Sequence, residues 1–294
     1  MPSTVDLHIH TTASDGSVEP LRLPALLAAR GIHTFAITDH DTIDGAVELL
    51  GRVPAGMRFI PGVEFSCYSA VGKYHILGYG YRPDDPLLHA AIEEGRQLRR
   101  TKLTQRIAYL RAEHGIILNE EETAWLYAQK SPAKPHLGKI LLARGLGEHP
   151  EDMMGVLRRY VNAFKGENDR ISLDTALRAI HHAGGIAVWA HPLGGEGHRH
   201  KPPEVFAPLL RDLLDAGIEG MECWYSRYDP QEIAFLRQQA AAHGLLVSGG
   251  SDFHGSPKPG LQPGTLCAAG DTPPAGELTV VDRLLSRDQT GRNA

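Results

Sequence analysis

The chain lacks an excess of positive charge. Its 294 residues hold 30 lysines and arginines against 35 aspartates and glutamates, a formal net charge of −5. A protein that grips long duplex DNA by its phosphates has the opposite balance. That class is argued against, although a local basic pocket is not. Cysteine is scarce: Cys67, Cys223 and Cys267 are far apart and odd in number, and no pair has zinc-ribbon spacing. A disulfide scaffold does not fit this pattern, and reduced thiols in a cytoplasmic protein are expected. No apolar run reaches the roughly 20 residues of a membrane span. No basic start followed by an apolar stretch suggests a signal peptide. There is no internal repeat, no low-complexity tract, and nothing that calls for an obligate protein partner. What remains is ordinary globular composition, 42% hydrophobic and 22% charged,. One residue type stands out: there are 16 histidines.

Val5 to Ile9 alternates apolar and polar residues, the period of a strand. Pro20 to Gly31 reads as an amphipathic helix closed by glycine. Thr34 to Ile37 reads as a second strand and Ile43 to Leu50 as a second helix. Arg58 to Ile60 and Tyr74 to Tyr79 follow as strands. This alternation implies parallel pairing and an α/β fold. The rhythm then changes. Leu87 to His114, Glu120 to Gln129, Pro135 to Arg144 and Pro150 to Tyr160 all carry helical patterns. Alternation returns with a helix at Ser172 to Ala183 and strands at Gly185 to Ala190, Gly220 to Trp224 and Leu245 to Ser248. Leu209 to Ala216, Glu232 to His243 and Val281 to Leu285 read as helices. The expected organisation is one α/β body, residues 1–85 and 164–294, interrupted by a mainly helical insertion at 86–163.

Every expected strand except Gly220 to Trp224 carries or leads into a candidate metal ligand. The first gives His8 and His10, two apart, so that both face one side of the strand. Asp15 follows on the loop. The next ends in Asp39-His40, and later ones lead to Glu64, His75, His191, and the pair Asp252 and His254. In parallel α/β barrels functional groups gather at the C-terminal ends of strands, so residues scattered in sequence would converge. The N/O donors exceed what one ion needs and suit two or three, with Glu64 as a natural bridge. The absence of thiolates argues against a structural zinc site. Mn, Fe, Zn and Mg all remain compatible. Asp39 adjoins His40 and points the other way along a strand, which suits an outer residue that orients imidazoles. His33, His89, His114, His149, His181, His182 and His243 read as surface or core residues. His198 and His200 read as solvated loop residues.

His8-Ile9-His10 with Ser14-Asp15-Gly16, Thr38-Asp39-His40-Asp41-Thr42, Gly62-Val63-Glu64, Ala190-His191-Pro192 and Gly250-Ser251-Asp252-Phe253-His254 together resemble the PHP (polymerase and histidinol phosphatase) family of the amidohydrolase superfamily. The likeness runs from Val5 to about Gly255. It implies a distorted (β/α)7 barrel and ligand roles for His8, His10, Asp15, His40, Glu64, His75, His191, Asp252 and His254. Among these it implies catalytic roles for Asp15, His40, His191, Asp252 and His254. Two or three divalent ions, often manganese, are the implied cofactor. The helical insertion and Pro135-His136 resemble the TrpH-like branch, which includes 3′,5′-nucleoside-bisphosphate phosphatases and 5′→3′ exoribonucleases acting on short RNA.

Where that branch commonly has Gly-Arg-Pro-His, this chain has Ala133-Lys134-Pro135-His136. Lysine keeps the charge but loses the bidentate fork. Lys134, His136, Arg199 and Arg227 are the candidate cations for a second phosphate. The expected activity is hydrolysis of the 5′-phosphate of nucleoside 3′,5′-bisphosphates. A small phosphorylated nucleotide or short oligonucleotide is then the partner. Trimming of short 5′-phosphorylated RNA is the closest alternative, followed by histidinol-phosphate hydrolysis. A non-catalytic module and a C–N hydrolase fit less well, the first because the ligand set is complete.

Overall fold

The computed structural model describes residues 3–166, 168, 170–194 and 200–291. Eight strands form one sheet: β1 Val5–Asp6, β2 Thr34–Ile37, β3 Arg58–Tyr68, β4 Lys73–Tyr79, β5 Ile171–Ser172, β6 Ile186–Trp189, β7 Gly220–Tyr225 and β8 Leu246–Gly250. Their order is β1-β2-β3-β4-β6-β7-β8, with β5 attached to β3. The first and last strands of that path meet. The Leu7 amide donates to Gly249 O (3.1 Å) and the His10 amide to Phe253 O (2.9 Å). An Ile9–Phe253 parallel bridge completes the seam. The result is the expected α/β architecture, a distorted, nearly closed (β/α)7 barrel.

β1 is shorter than the alternation predicts. The Asp6 carboxylate accepts from the amides of His8 (3.3 Å), Ser251 (2.9 Å) and Gly264 (2.8 Å). A side chain has taken over donors that a ladder would otherwise use. The period survives this, because Leu7 and Ile9 enter apolar clusters while His8 and His10 face the barrel mouth.

Two expectations are corrected at β3 and β4. Pro61-Gly62 does not end β3. Residues 58–61 pair with β2 and residues 62–68 with β4, so the Pro-Gly marks a change of partner. A Cβ on Gly62 would sit 2.7 Å from Ile37 O, which explains the glycine. Pairing is also not parallel throughout: β4 runs antiparallel to both β3 and β6. The connection after Tyr68 is too short for a crossover, which needs a dozen or more residues. It closes as a hairpin, with the Ser69 amide on Gly72 O at 2.8 Å. His75 therefore lies near the start of its strand, and the reversal delivers it to the rim where the other strands end.

The helices are α1 Leu23–Ala28, α2 Asp44–Leu49, α3 Pro86–His114, α4 Glu120–Tyr127, α5 Lys134–Ala143, α6 Met153–Val156, α7 Leu173–His182, α8 Pro203–Asp215, α9 Pro230–His243 and α10 Thr279–Gly291. The pattern at Pro150 to Tyr160 becomes the short α6 and a π-helical turn, Leu157–Val161. Asp85 caps α3 by accepting from the amides of Leu87 and Leu88, and Gly115, at φ 65°, stops it,. The start of α3 buries Leu88, Ala91 and Ile92 in the barrel core. Its later turns bury Leu103 and Leu110 in a second cluster with Leu126, Leu137, Leu141, Val156 and Val161. Each cluster is apolar enough to hold its own elements. No described helix is long and apolar enough to cross a membrane.

Among the described residues, three non-glycine residues have positive φ: Asp41 (49°), His191 (29°) and Asp252 (55°). All three lie beside the mouth of the barrel. Such conformations cost on the order of 1–3 kcal/mol each and persist only where surrounding structure enforces them.

Candidate metal centre

The site is built around one carboxylate. Glu64 lies in the middle of β3, 1% exposed. Its Oε2 meets His8 Nε2 at 3.3 Å, His10 Nε2 at 3.1 Å and His40 Nδ1 at 3.1 Å. Its Oε1 meets His75 Nδ1 at 2.9 Å and His191 Nε2 at 3.1 Å. Five imidazoles from four segments converge on two oxygens. Asp252 Oδ1 lies 3.4 Å from His10 Nε2 and 3.3 Å from His254 Nδ1. Asp15 Oδ1 lies 3.3 Å from His254 Nε2. All nine sequence-predicted donors are thus brought together.

Three sets have ligand atoms close enough to share an ion: His10, Asp15, His40 and His254; His8, His10 and Asp252; His40, Glu64 and His75. The chemistry of the site fits divalent cations. Asp15 Oδ1, His40 Nδ1, Glu64 Oε2 and His254 Nε2 are buried and make no hydrogen bond. Buried polar atoms left in that state are costly. Here four of them face one another in a thiolate-free N/O cluster, which is what a divalent ion would satisfy.

The charges agree. Burial disfavours ionisation of Glu64, but His40, His75 and His8 hold its carboxyl well below the usual range. Burial likewise opposes ionisation of Asp15, and His254 and His40 outweigh it. Asp252 is held low against burial by Lys258 and His254. Burial pushes His40, His75 and His254 below the ordinary imidazole value. Ionised carboxylates and neutral imidazoles are the protonation states that metal ligation requires. His8 and His10 are different: burial opposes their charge, yet Glu222 and Glu64 hold His8 well above the ordinary imidazole value, and Asp252 and Glu64 raise His10 to about 9. Each must give up its extra proton when an ion binds.

The loop from His10 to Asp15 owes its shape to Asp39. That carboxylate accepts from the Thr11 amide (2.7 Å), Thr11 Oγ1 (2.7 Å) and Ser14 Oγ (2.6 Å). It orients the loop and does not enter the donor sets. Gly16 closes the turn, since a Cβ there would lie 2.6 Å from His10 O.

A cavity of about 410 Å³ opens above Asp15, His40 and His75. Arg99 and Arg106 of α3, Lys134 of α5 and Arg158 of the π-turn line it from the insertion. Arg170, Arg227 and Lys258 line it from barrel loops. A chain of net negative charge has gathered seven cations around one opening. Lys134 Nζ is steadied by Asn162 Oδ1 at 2.9 Å, and the buried Arg227 Nε makes no hydrogen bond. Arg199 lies outside the described residues. His136 is corrected: its Nδ1 accepts from the Ala133 amide (3.0 Å) and its ring also hydrogen-bonds the Ser14 backbone. With both nitrogens occupied, it braces α5 against the Asp15 loop and does not line the cavity.

Several residues were not anticipated. Arg99 donates to Asp41 Oδ2 (2.5 Å) and to Ser66 Oγ (2.9 Å). Lys258 Nζ and the Tyr225 hydroxyl both donate to Asp252 Oδ2, at 2.8 and 2.9 Å, so both support that candidate ligand. Glu222 is wholly buried between His8 and His191. An acid inside the apolar run Gly-Met-Glu-Cys-Trp-Tyr was the available signal for it.

A PHP domain matches residues 6–176. A 3′,5′-nucleoside bisphosphate phosphatase of Chromobacterium violaceum is 30% identical over 256 residues, covering 86% of this chain and 87% of that protein. The 5′-3′ exoribonuclease Rnm of Escherichia coli is 31% identical over 258 residues, covering 85% and 84%. Among solved structures, an amidohydrolase of Chromobacterium violaceum with bound sulfate superimposes with a TM-score of 0.80 at 29% identity, over 97% of both chains. The chain belongs to the PHP domain family.

Proposed function

We propose that the protein is a metal-dependent phosphatase that removes the 5′-phosphate of nucleoside 3′,5′-bisphosphates. One observation carries this reading: a cluster of nine N/O donors sits at the floor of a cavity walled by seven cations. A single phosphate monoester does not need that many. The relative in Chromobacterium violaceum, a bisphosphate phosphatase, supports the same substrate class.

His8, His10, Asp15, His40, Glu64, His75, His191, Asp252 and His254 would hold two or three divalent ions, with manganese the metal of choice. Bound there, such ions neutralise phosphoryl oxygens, acidify water and stabilise a leaving alkoxide. The chain's own residues do the rest. Glu64 presents one oxygen to His75 and His191 and the other to His8, His10 and His40, which fixes the spacing of the ligands. Arg99, held by Asp41, faces the cavity with a fixed charge for the 5′-phosphoryl group. Lys134 and Arg227 take the 3′-phosphate. Residues 86–163 act as a cap that narrows access to the barrel mouth. Three unpaired, buried cysteines support a cytoplasmic location.

Phosphate release by the manganese-loaded protein tests this. Adenosine 3′,5′-bisphosphate should exceed AMP and histidinol phosphate in kcat/KM by at least tenfold. No release from any of these with any divalent metal would reject the phosphatase. Shortening of a 5′-phosphorylated trinucleotide at a comparable rate would favour the second reading, a nuclease of short RNA ends. That reading is supported by the relative in Escherichia coli and by cations, such as Arg106 and Arg158, beyond those two phosphates need.

The second-phosphate assignment has its own prediction. Lys134→Ala should raise KM for adenosine 3′,5′-bisphosphate about 10-fold or more, the size of a lost charge-assisted hydrogen bond. KM for AMP should hardly move. Equal changes for both would place Lys134 elsewhere in the mechanism.

A further inference from the structure

Glu222 of β7 is 0% exposed, deep under the donor cluster. Its Oε1 lies 2.9 Å from His8 Nδ1 and its Oε2 accepts from the His191 amide at 2.7 Å. These two histidines meet different oxygens of Glu64: His8 Nε2 at Oε2 and His191 Nε2 at Oε1. One carboxylate therefore grips two ligands, on segments that follow β1 and β6, from a third strand.

The two grips differ in kind. His191 is held through its backbone, in the left-handed region at φ 29°. Its amide proton cannot move elsewhere. His8 is held through its ring. A carboxylate oxygen at 2.9 Å is an acceptor for the ring, which favours a proton on Nδ1. A neutral His8 then has its lone pair on Nε2, the nitrogen that faces Glu64 and Asp252. Partners of this type are known to fix the tautomer and direction of ligating imidazoles.

We infer that Glu222 is a positioning residue that selects the metal-binding tautomer of His8 while enforcing the backbone turn of His191. The inference rests on the metal-dependent reading above. Glu222→Gln separates the roles because it keeps the shape and removes one acceptor. The amide oxygen must serve the fixed His191 N–H. The amide NH2 then faces His8 Nδ1 and favours the tautomer with the proton on Nε2, where an ion would sit.

The test measures manganese bound per chain, and its affinity, by equilibrium dialysis with elemental analysis, together with the melting of the metal-free proteins. Glu222→Gln is expected to melt cooperatively near wild type and to lose 10- to 100-fold in affinity for at least one ion, the scale for outer partners of metal ligands. Glu222→Asp, which keeps the charge but is too short to span both donors, should show a similar loss. Wild-type affinity and stoichiometry in either folded variant would overturn the assignment and leave the metal-dependent reading standing. A wild-type protein that binds no divalent ion would overturn both.

Discussion

Asp15→Ala is expected to lower kcat for 5′-phosphate release at least about 100-fold, since even outer partners of metal ligands act on a 10- to 100-fold scale. The fold should survive. Asp15 is on a loop, and its Oδ1 makes no hydrogen bond although it is buried. The loop keeps its shape through Asp39, Thr11 and Ser14. What disappears is the one carboxylate in the set with His10, His40 and His254. An ion there would be left with neutral imidazoles alone. The measurement is turnover at saturating manganese, paired with metal content and a thermal melt. Near-normal turnover with full metal content would remove Asp15 from the mechanism.

Gly250→Ala should have the largest effect on stability, at the upper end of the overpacking range, about 3 kcal/mol. A Cβ there would lie 2.5 Å from His8 N and 2.8 Å from His8 Cα, and closer still to His8 Cβ. Neither backbone atom can swing aside, so the seam between β1 and β8 must open. His8 moves with it, and metal affinity should fall together with the melting temperature. Gly260→Ala is the control, because nothing lies within 4 Å of its added Cβ. It should melt within a degree or two of wild type. Equal melting of both variants would show that the seam tolerates expansion and that the barrel closes more loosely than its hydrogen bonds imply.

The donor cluster was legible because metal ligands at strand ends leave a short-range signature: His8 and His10 share a strand face, and Asp252-x-His254 repeats the spacing. The α/β class followed from the alternation of strands and helices, and the barrel from the resemblance to the PHP family. The reversal of β4 was written in the short stretch between Tyr68 and Lys73, which no crossover could fit, but the rhythm of the surrounding units hid it. Arg99, Arg106 and Lys258 were not separable from other surface cations. α3 carries charges along its whole length, and only its docking against Asp41 and Ser66 selects the turn that faces the cavity. The resemblance of Pro135-His136 to the TrpH-like branch suggests His136 as a phosphate ligand, and a ring nitrogen can serve either as a ligand or as a brace. The Ala133 amide and the Ser14 backbone decide which, and that contact crosses more than a hundred residues.

The three left-handed residues carry a consequence for engineering. Asp41, His191 and Asp252 would each relax as glycine or asparagine, residues that occupy that conformation more readily. Selection for heat resistance alone would therefore drift toward such replacements. Each would erase a charge or an imidazole at the barrel mouth. In this protein, thermal optimisation and retention of chemistry pull on the same three backbone positions in opposite directions.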